Sequence, residues 1–295
     1  MKKVRFNSVL ALMMALVIFA VMPGCKGSGK KANDGGKAAD KEAVSGVETK
    51  TYTVEGVTFK MVKVEGGTFT MGATAEQGAT EPQPNEKPAH EVTVGDFWIG
   101  ETEVTQALFE AVTGYNPSFT RWPECPVDKI SWKDCNAFLE TLNELTGLEF
   151  RLPKEAEWEY AARGGKLSKG YKYAGSDNIE EVAWLVSNAE EKSHPVASKK
   201  PNELGLYDMS GNVFEWCEDK YLMYDGSEPQ YSQKMLKSDI KREFHIERGG
   251  CWNYGPTMCR VSYRHAGNYT HMYAYDGMRL AMTTAGEIVI PEEEE

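Results

Sequence analysis

The chain has 295 residues, of which 41% are hydrophobic, 11% aromatic and 26% charged, the balance of an ordinary globular protein. That balance excludes a disordered chain and a polytopic membrane protein. A net charge of −11 and a pI near 5.1, with no run of Lys and Arg interleaved with aromatics, argue against a nucleic-acid partner.

In chain order, residues 1–25 come first, where Lys2, Lys3 and Arg5 precede an apolar run from Val9 to Met22 and then Pro23, Gly24 and Cys25. This is the order of a secretory signal. The alternative is a transmembrane anchor, but about 14 apolar residues fall short of the roughly 20 that a spanning helix needs. "VMPGC" resembles a bacterial lipobox, which makes Cys25 the expected lipidation site and predicts an exported protein, lipid-anchored on the periplasmic or cell-surface face of a bacterial membrane. Residues 26–50 are rich in Gly, Ala, Lys, Asp and Ser and read as a flexible tether, while residues 291–295, "PEEEE", read as an acidic tail. Between them, residues 51–290 are expected to fold as a single domain.

Hydrophobic periodicity predicts three helices in that domain. The first spans residues 102–113, with Val104, Leu108, Ala111 and Val112 on one face and Gly114 as the C-terminal cap. The second starts at the N-cap Ser131, carries Cys135, Phe138, Leu142 and Leu145 as a stripe, and ends at Gly147. The third opens with Pro153 in its first turn, has Glu155 and Glu157 near its positive end, and stops at Gly164 and Gly165. Elsewhere short strand-like runs such as "VEGGTFTMG" and "HEVTVGDFWIG" alternate with Gly and Pro, so the class is α+β with much irregular structure.

The blocks "GGTFTMG" (66–72), "IGETEVTQALFEAVTG" (99–114), "PVDKISWKDC" (126–135), "FRLPKEAEWEYAARGG" (150–165), "GLYDMSGNVFEW" (205–216), "RGGCW" (248–252), "CRVSYR" (259–264) and "GMRLA" (277–281) stand in the order found in the formylglycine-generating enzyme, or sulfatase-modifying factor, family. The resemblance implies that family's single-domain fold, a C-type lectin-like variant. It does not by itself imply activity, because function belongs to the site.

In the family's oxidases two thiols five positions apart bind copper(I) as soft ligands and engage a substrate cysteine. Aligned from Gly249 and Gly250, the second thiol falls on Cys259 and the first on Tyr254, whose phenol is a poor copper(I) ligand. Cys251 occupies the place of the Ser in the family's "GGSW", and its spacing does not exclude an approach to Cys259 through a turn at Gly255 and Pro256. The candidate catalytic residues are therefore Cys259 and Cys251. Two readings stay open. One is a membrane-anchored binding or scaffolding module for a protein or glycan ligand, with Trp252, Tyr254, Tyr263, Tyr269, Tyr273 and Tyr275 either lining a groove or filling the core. The other is an active, copper-dependent oxidoreductase that converts a sulfatase cysteine to formylglycine.

With Cys25 lipidated, Cys125, Cys135, Cys217, Cys251 and Cys259 remain, and an oxidising compartment favours pairing Cys125 with Cys135 and Cys217 with Cys259. The remaining constellation is "DMSGNVFEW" at 208–216. Asp208 and Glu215 offer hard carboxylate oxygens and Gly211 and Val213 offer carbonyls, and the resemblance implies a structural calcium ion held by these four positions. An Asx-type turn closed by Asp208 and Asn212 is the alternative. Phe214 stands where the family commonly has Trp. Residues 182–194, where the family has a second calcium loop, lack matching ligands, and the five histidines show no zinc-type spacing.

Overall fold

Glu55 and Gly56 both adopt positive φ (47° and 81°), which turns strand β1 (Thr49–Val54) tightly back into β2 (Val57–Val64) as an antiparallel hairpin. The structure, a computed structural model, describes residues 46–78, 80–227 and 243–284; the signal segment with Cys25, most of the tether and the acidic tail lie outside the described residues. The chain continues through β3 (Gly67–Met71), β4 (His90–Val94), β5 (Phe97–Gly100), helices α1 (Gln106–Thr113) and α2 (Trp132–Thr146), β6 (Phe150–Arg151), α3 (Glu155–Ala162) and the single turn α4 (Ile179–Val182). Then follow β7 (Phe214–Lys220), β8 (Phe244–Arg248), β9 (His265–Asn268), β10 (Asp276–Gly277) and β11 (Ala281–Thr283). Among the described residues no helix is long and apolar enough to cross a membrane.

A five-stranded sheet runs in the order β1-β2-β5-β11-β6, a four-stranded sheet in the order β10-β7-β8-β9, and β3 pairs with β4. The larger sheet divides two cores. Because side chains alternate along a strand, Met61 and Trp98 pack with α1 and α2, while Val62, Val64, Phe97 and Ile99 pack with α3 and the second sheet. Every residue of β5 is buried for this reason. Phe109 of α1 stacks on Phe138 of α2 at 5.1 Å.

The helices correct the expectation at their starts. Residues 102–105 lie outside the helix, since the Val104 N–H donates to Met278 O and the Val104 carbonyl accepts from Val127 N; Thr105 then caps α1 through Leu108 N. Pro153 lies ahead of α3, whose N-cap is Lys154. α2 starts at Ser131 as expected, with a capping box to Asp134, although Leu145 at the end of the stripe is 49% exposed.

The predicted disulfides are also corrected. All five described cysteines are free thiols and buried. Cys135, Cys217, Cys259 and Cys251 belong to four separate clusters of the core, and Cys125 turns its Sγ to Ser193 O at 3.8 Å, so each thiol is consumed by packing.

Buried ion pairs tie the loop between β3 and β4, and α3, to Arg248 at the end of β8 and to the segment ahead of β9. Arg260 makes two 2.7 Å bonds to Glu86, Arg264 binds Glu155 through Nε (2.6 Å) and Nη2 (2.8 Å), and Arg248 reaches Glu155 and Glu159. Removing one partner of such a pair strands a charge in the interior.

Candidate functional site

Strand register sorts the site residues onto two faces of the four-stranded sheet. Glu215 pairs with Arg248 and Gly277, whereas Trp216 pairs with Glu247, Glu247 with His265, and Phe214 with Asp276. Alternation therefore puts Glu215 and Arg248 on one face and Phe214, Glu247, His265 and Asp276 on the other.

On the first face, Glu215 is fully buried and clasped by Arg279, whose Nη2 lies 2.6 Å and Nε 3.0 Å from Oε1, while Trp158 Nε1 donates to Oε2 at 2.6 Å. The preceding turn is held by left-handed residues: Asp208 (φ 60°), Gly211 (φ 81°) and Asn212 (φ 61°). At Gly211 a Cβ would lie 2.3 Å from Trp184 O, so only glycine fits. Asp208 Oδ2 accepts from Ala197 N at 2.7 Å. Glu103, from the segment before α1, closes the turn by accepting from Asn212 Nδ2 (2.8 Å) and Val213 N (3.1 Å). Burial, then the like charges of Asp208 and Glu215, hold the Glu103 carboxyl well above the usual carboxylate range.

Three buried carboxyl groups thus face the single guanidinium of Arg279. Asp208 and Glu215 offer hard oxygens of the kind calcium takes. Among the described residues no three His, Cys, Asp or Glu side chains are arranged to hold a metal by themselves, so such an ion would need backbone carbonyls beside Asp208 and Glu215. Glu215 would share with it oxygens that already receive Arg279 and Trp158.

Past β8, Cys251 and Cys259 are both fully buried. Cys259 closes a 3-10 turn, Pro256–Cys259, with its Sγ 3.8 Å from Gly255 O and its carbonyl accepting from Ser210 Oγ at 2.8 Å. At Gly250 (φ 74°) a Cβ would meet the Cys259 Sγ at 2.7 Å, which explains the Gly-Gly pair ahead of the thiol. Burial pushes the Cys259 thiol up to about 12 and the Cys251 thiol well above its ordinary value, so neither is a thiolate at neutral pH. Tyr254 packs its ring edge-on against Phe214 (5.8 Å) and Tyr275 (5.6 Å). Of the aromatics named from the sequence, Tyr263 is core, Trp252, Tyr254 and Tyr275 are half-buried, and Tyr273 is 47% exposed beside exposed Met272.

Sequence reasoning missed Glu103, Arg279, Glu247, His265 and Asp276. The available signal was a charge inside an apolar, Gly-flanked run, as in "FHIERGG" and "YDGMRLA".

Residues 48–284 match the sulfatase-modifying factor enzyme 1-like domain. The chain belongs to this family, and its mixed α/β fold with much irregular structure is the family's. Among characterised relatives, the chaperone protein LppX of Paenibacillus barcinonensis is 34% identical over 58% of this chain and 75% of its own length. The formylglycine-generating enzyme of Streptomyces coelicolor is 36% identical over 42% of this chain; the match spans only 40% of that enzyme. The solved structure of Treponema denticola variable protein 1 superposes with a TM-score of 0.67 at 30% identity, covering 80% of this chain and 99% of that one.

Proposed function

We propose that this chain is an exported, lipid-anchored binding or scaffolding module that keeps the family fold without its copper chemistry. The observation that carries the reading is the setting of Tyr254, which stands in place of the first copper thiol and is packed into an aromatic cluster with Phe214 and Tyr275. A linear copper(I) site needs two thiolates, and with Tyr254 at the first position only Cys259 remains at the family spacing. The ligand face is the loop around Tyr273, where the exposed Tyr273 and Met272 suit a protein or glycan surface. Similarity to a protein named as a chaperone supports binding over oxidation. Calcium at Asp208, Gly211, Val213 and Glu215 serves as a structural ion.

The test is a copper(I) titration combined with an oxygen-dependent assay on a sulfatase-type cysteine peptide. Weak copper binding and no formylglycine are expected. Turnover abolished by Cys259→Ser would replace this reading with the oxidase. For the anchor, Cys25→Ser should release the protein from membranes or leave its precursor uncleaved.

A further inference from the structure

Glu247 and Asp276 are both 1% exposed, and they come into hydrogen-bond contact although β7 lies between their strands. One oxygen of each, Glu247 Oε1 and Asp276 Oδ1, meets no hydrogen-bond donor. Two carboxyl groups in contact without a donor are satisfied only by a proton between them. The titratable groups facing the pair are His265 from β9, with Nδ1 2.7 Å from Glu247 Oε2, Cys135 from α2, Cys251 from the loop after β8, and Tyr275 beside Asp276. None is a permanent cation. Burial, with mutual repulsion acting on Asp276, pushes the pair up to about 8 for Glu247 and about 9 for Asp276.

Asp276 is also the anchor of the aromatic loop. Its Oδ2 accepts from Tyr273 N at 2.8 Å, its own N–H returns to Tyr273 O at 3.1 Å, and Tyr273 O accepts from Lys129 N. The Tyr273 ring stacks on Tyr275 (5.2 Å, 18°), which covers Phe214 and Tyr254. The loop's seat on the domain thus depends on where the Asp276 carboxyl sits.

We propose that Glu247 and Asp276 form a proton-operated latch on the loop 269–275. While the pair shares a proton, Asp276 stays seated and the loop lies closed over Phe214 and Tyr254. When the proton leaves, by way of the partly exposed His265, the two carboxylates repel and the loop is released. The latch bears on ligand binding only if the aromatic face is the ligand surface, but its own test needs no ligand, so the two ideas fail separately.

The experiment is hydrogen exchange of the 269–276 segment in the full-length protein from pH 6 to pH 10, corrected for the intrinsic pH dependence of exchange. Protection of this segment should fall at least tenfold over that range while β5 stays unchanged. Glu247→Gln, which gives Asp276 a permanent N–H donor, should abolish the fall. An unchanged wild-type segment, or a fall that persists in Glu247→Gln, overturns the latch. Should that variant not fold, the infrared carbonyl band of protonated carboxyl groups in Glu103→Gln, which removes the other buried acid held well above its usual range, decides the matter: its absence at neutral pH also overturns the proposal.

Discussion

Glu215 and Glu247 stand on opposite faces of one four-stranded sheet and meet opposite fates. Glu215 is paired with the guanidinium of Arg279, whereas Glu247, with no permanent cation beside it, meets His265 and the carboxyl group of Asp276. The first arrangement sets a buried acid against a permanent cation, and the second sets it against another acid and raises Glu247 to about 8.

Stability should therefore fall with rising pH. Glu247 and Asp276 have folded values above their unfolded ones, so the native state holds protons that the unfolded chain has released, and their contribution is lost as pH climbs toward 8 and 9. The cleanest window is pH about 6.5 to 8, above the unfolded histidine range and below the unfolded thiol range. Across it the melting temperature should drop by roughly 5–10 °C, and Glu247→Gln should make the curve shallower, the buried Glu103 still contributing a fall of the same sign. A wild-type melting temperature that rises over this window contradicts the protonated pair.

Arg279→Met removes the guanidinium that faces Glu215, Glu103 and Asp208 and leaves them unbalanced in the interior. Urea unfolding should show a loss of about 3–5 kcal/mol, the cost of breaking a buried pair from one side. A loss under about 1 kcal/mol would mean that the carboxyl groups relax or protonate freely.

Thiol counting checks the cysteines. Cys125, Cys135, Cys217, Cys251 and Cys259 should all react with a thiol reagent in denaturant without prior reduction, and none at a comparable rate in the native protein. A shortfall of two in denaturant would signal a disulfide.

Tyr254→Cys restores the family's spacing to the free thiol of Cys259. Copper(I) affinity measured against a competing chelator should rise at least tenfold, whereas Tyr254→Phe should match the wild type. Equal affinities for all three proteins would show that Cys259 cannot be recruited.

For the calcium site, added calcium should raise the melting temperature and a chelator lower it, by linkage to the folded state. Glu215→Gln should lose the response. Chelator and variant acting additively would place the ion elsewhere.

The fold was legible where local chemistry decides the outcome. Ser131 with Asp134, and Gly114 and Gly147 as left-handed caps, mark their helix ends by hydrogen bonds that the sequence itself supplies. The start of α1 was not, because Val104 is drawn out of the helix into pairing with Met278 and Val127. In the site, the turn residues Asp208, Gly211 and Glu215 stood out by type and spacing. Their electrostatic partners Glu103 and Arg279 did not, since only tertiary contact reveals which acid meets which base. The disulfide expectation failed because residue spacing says nothing about which core a thiol joins.

The place of β11 between β5 and β6 has a consequence for the making of the protein. The larger sheet stays split until Ala281–Thr283, near the end of the chain, is available to bridge Ile99 to Arg151. Without β11 the sheet is the three-stranded piece β1-β2-β5 with β6 left as a lone strand, and closure waits on contacts far apart in sequence. The open edges of β5 and β6 are therefore where a partly folded domain is most exposed to pairing with another copy.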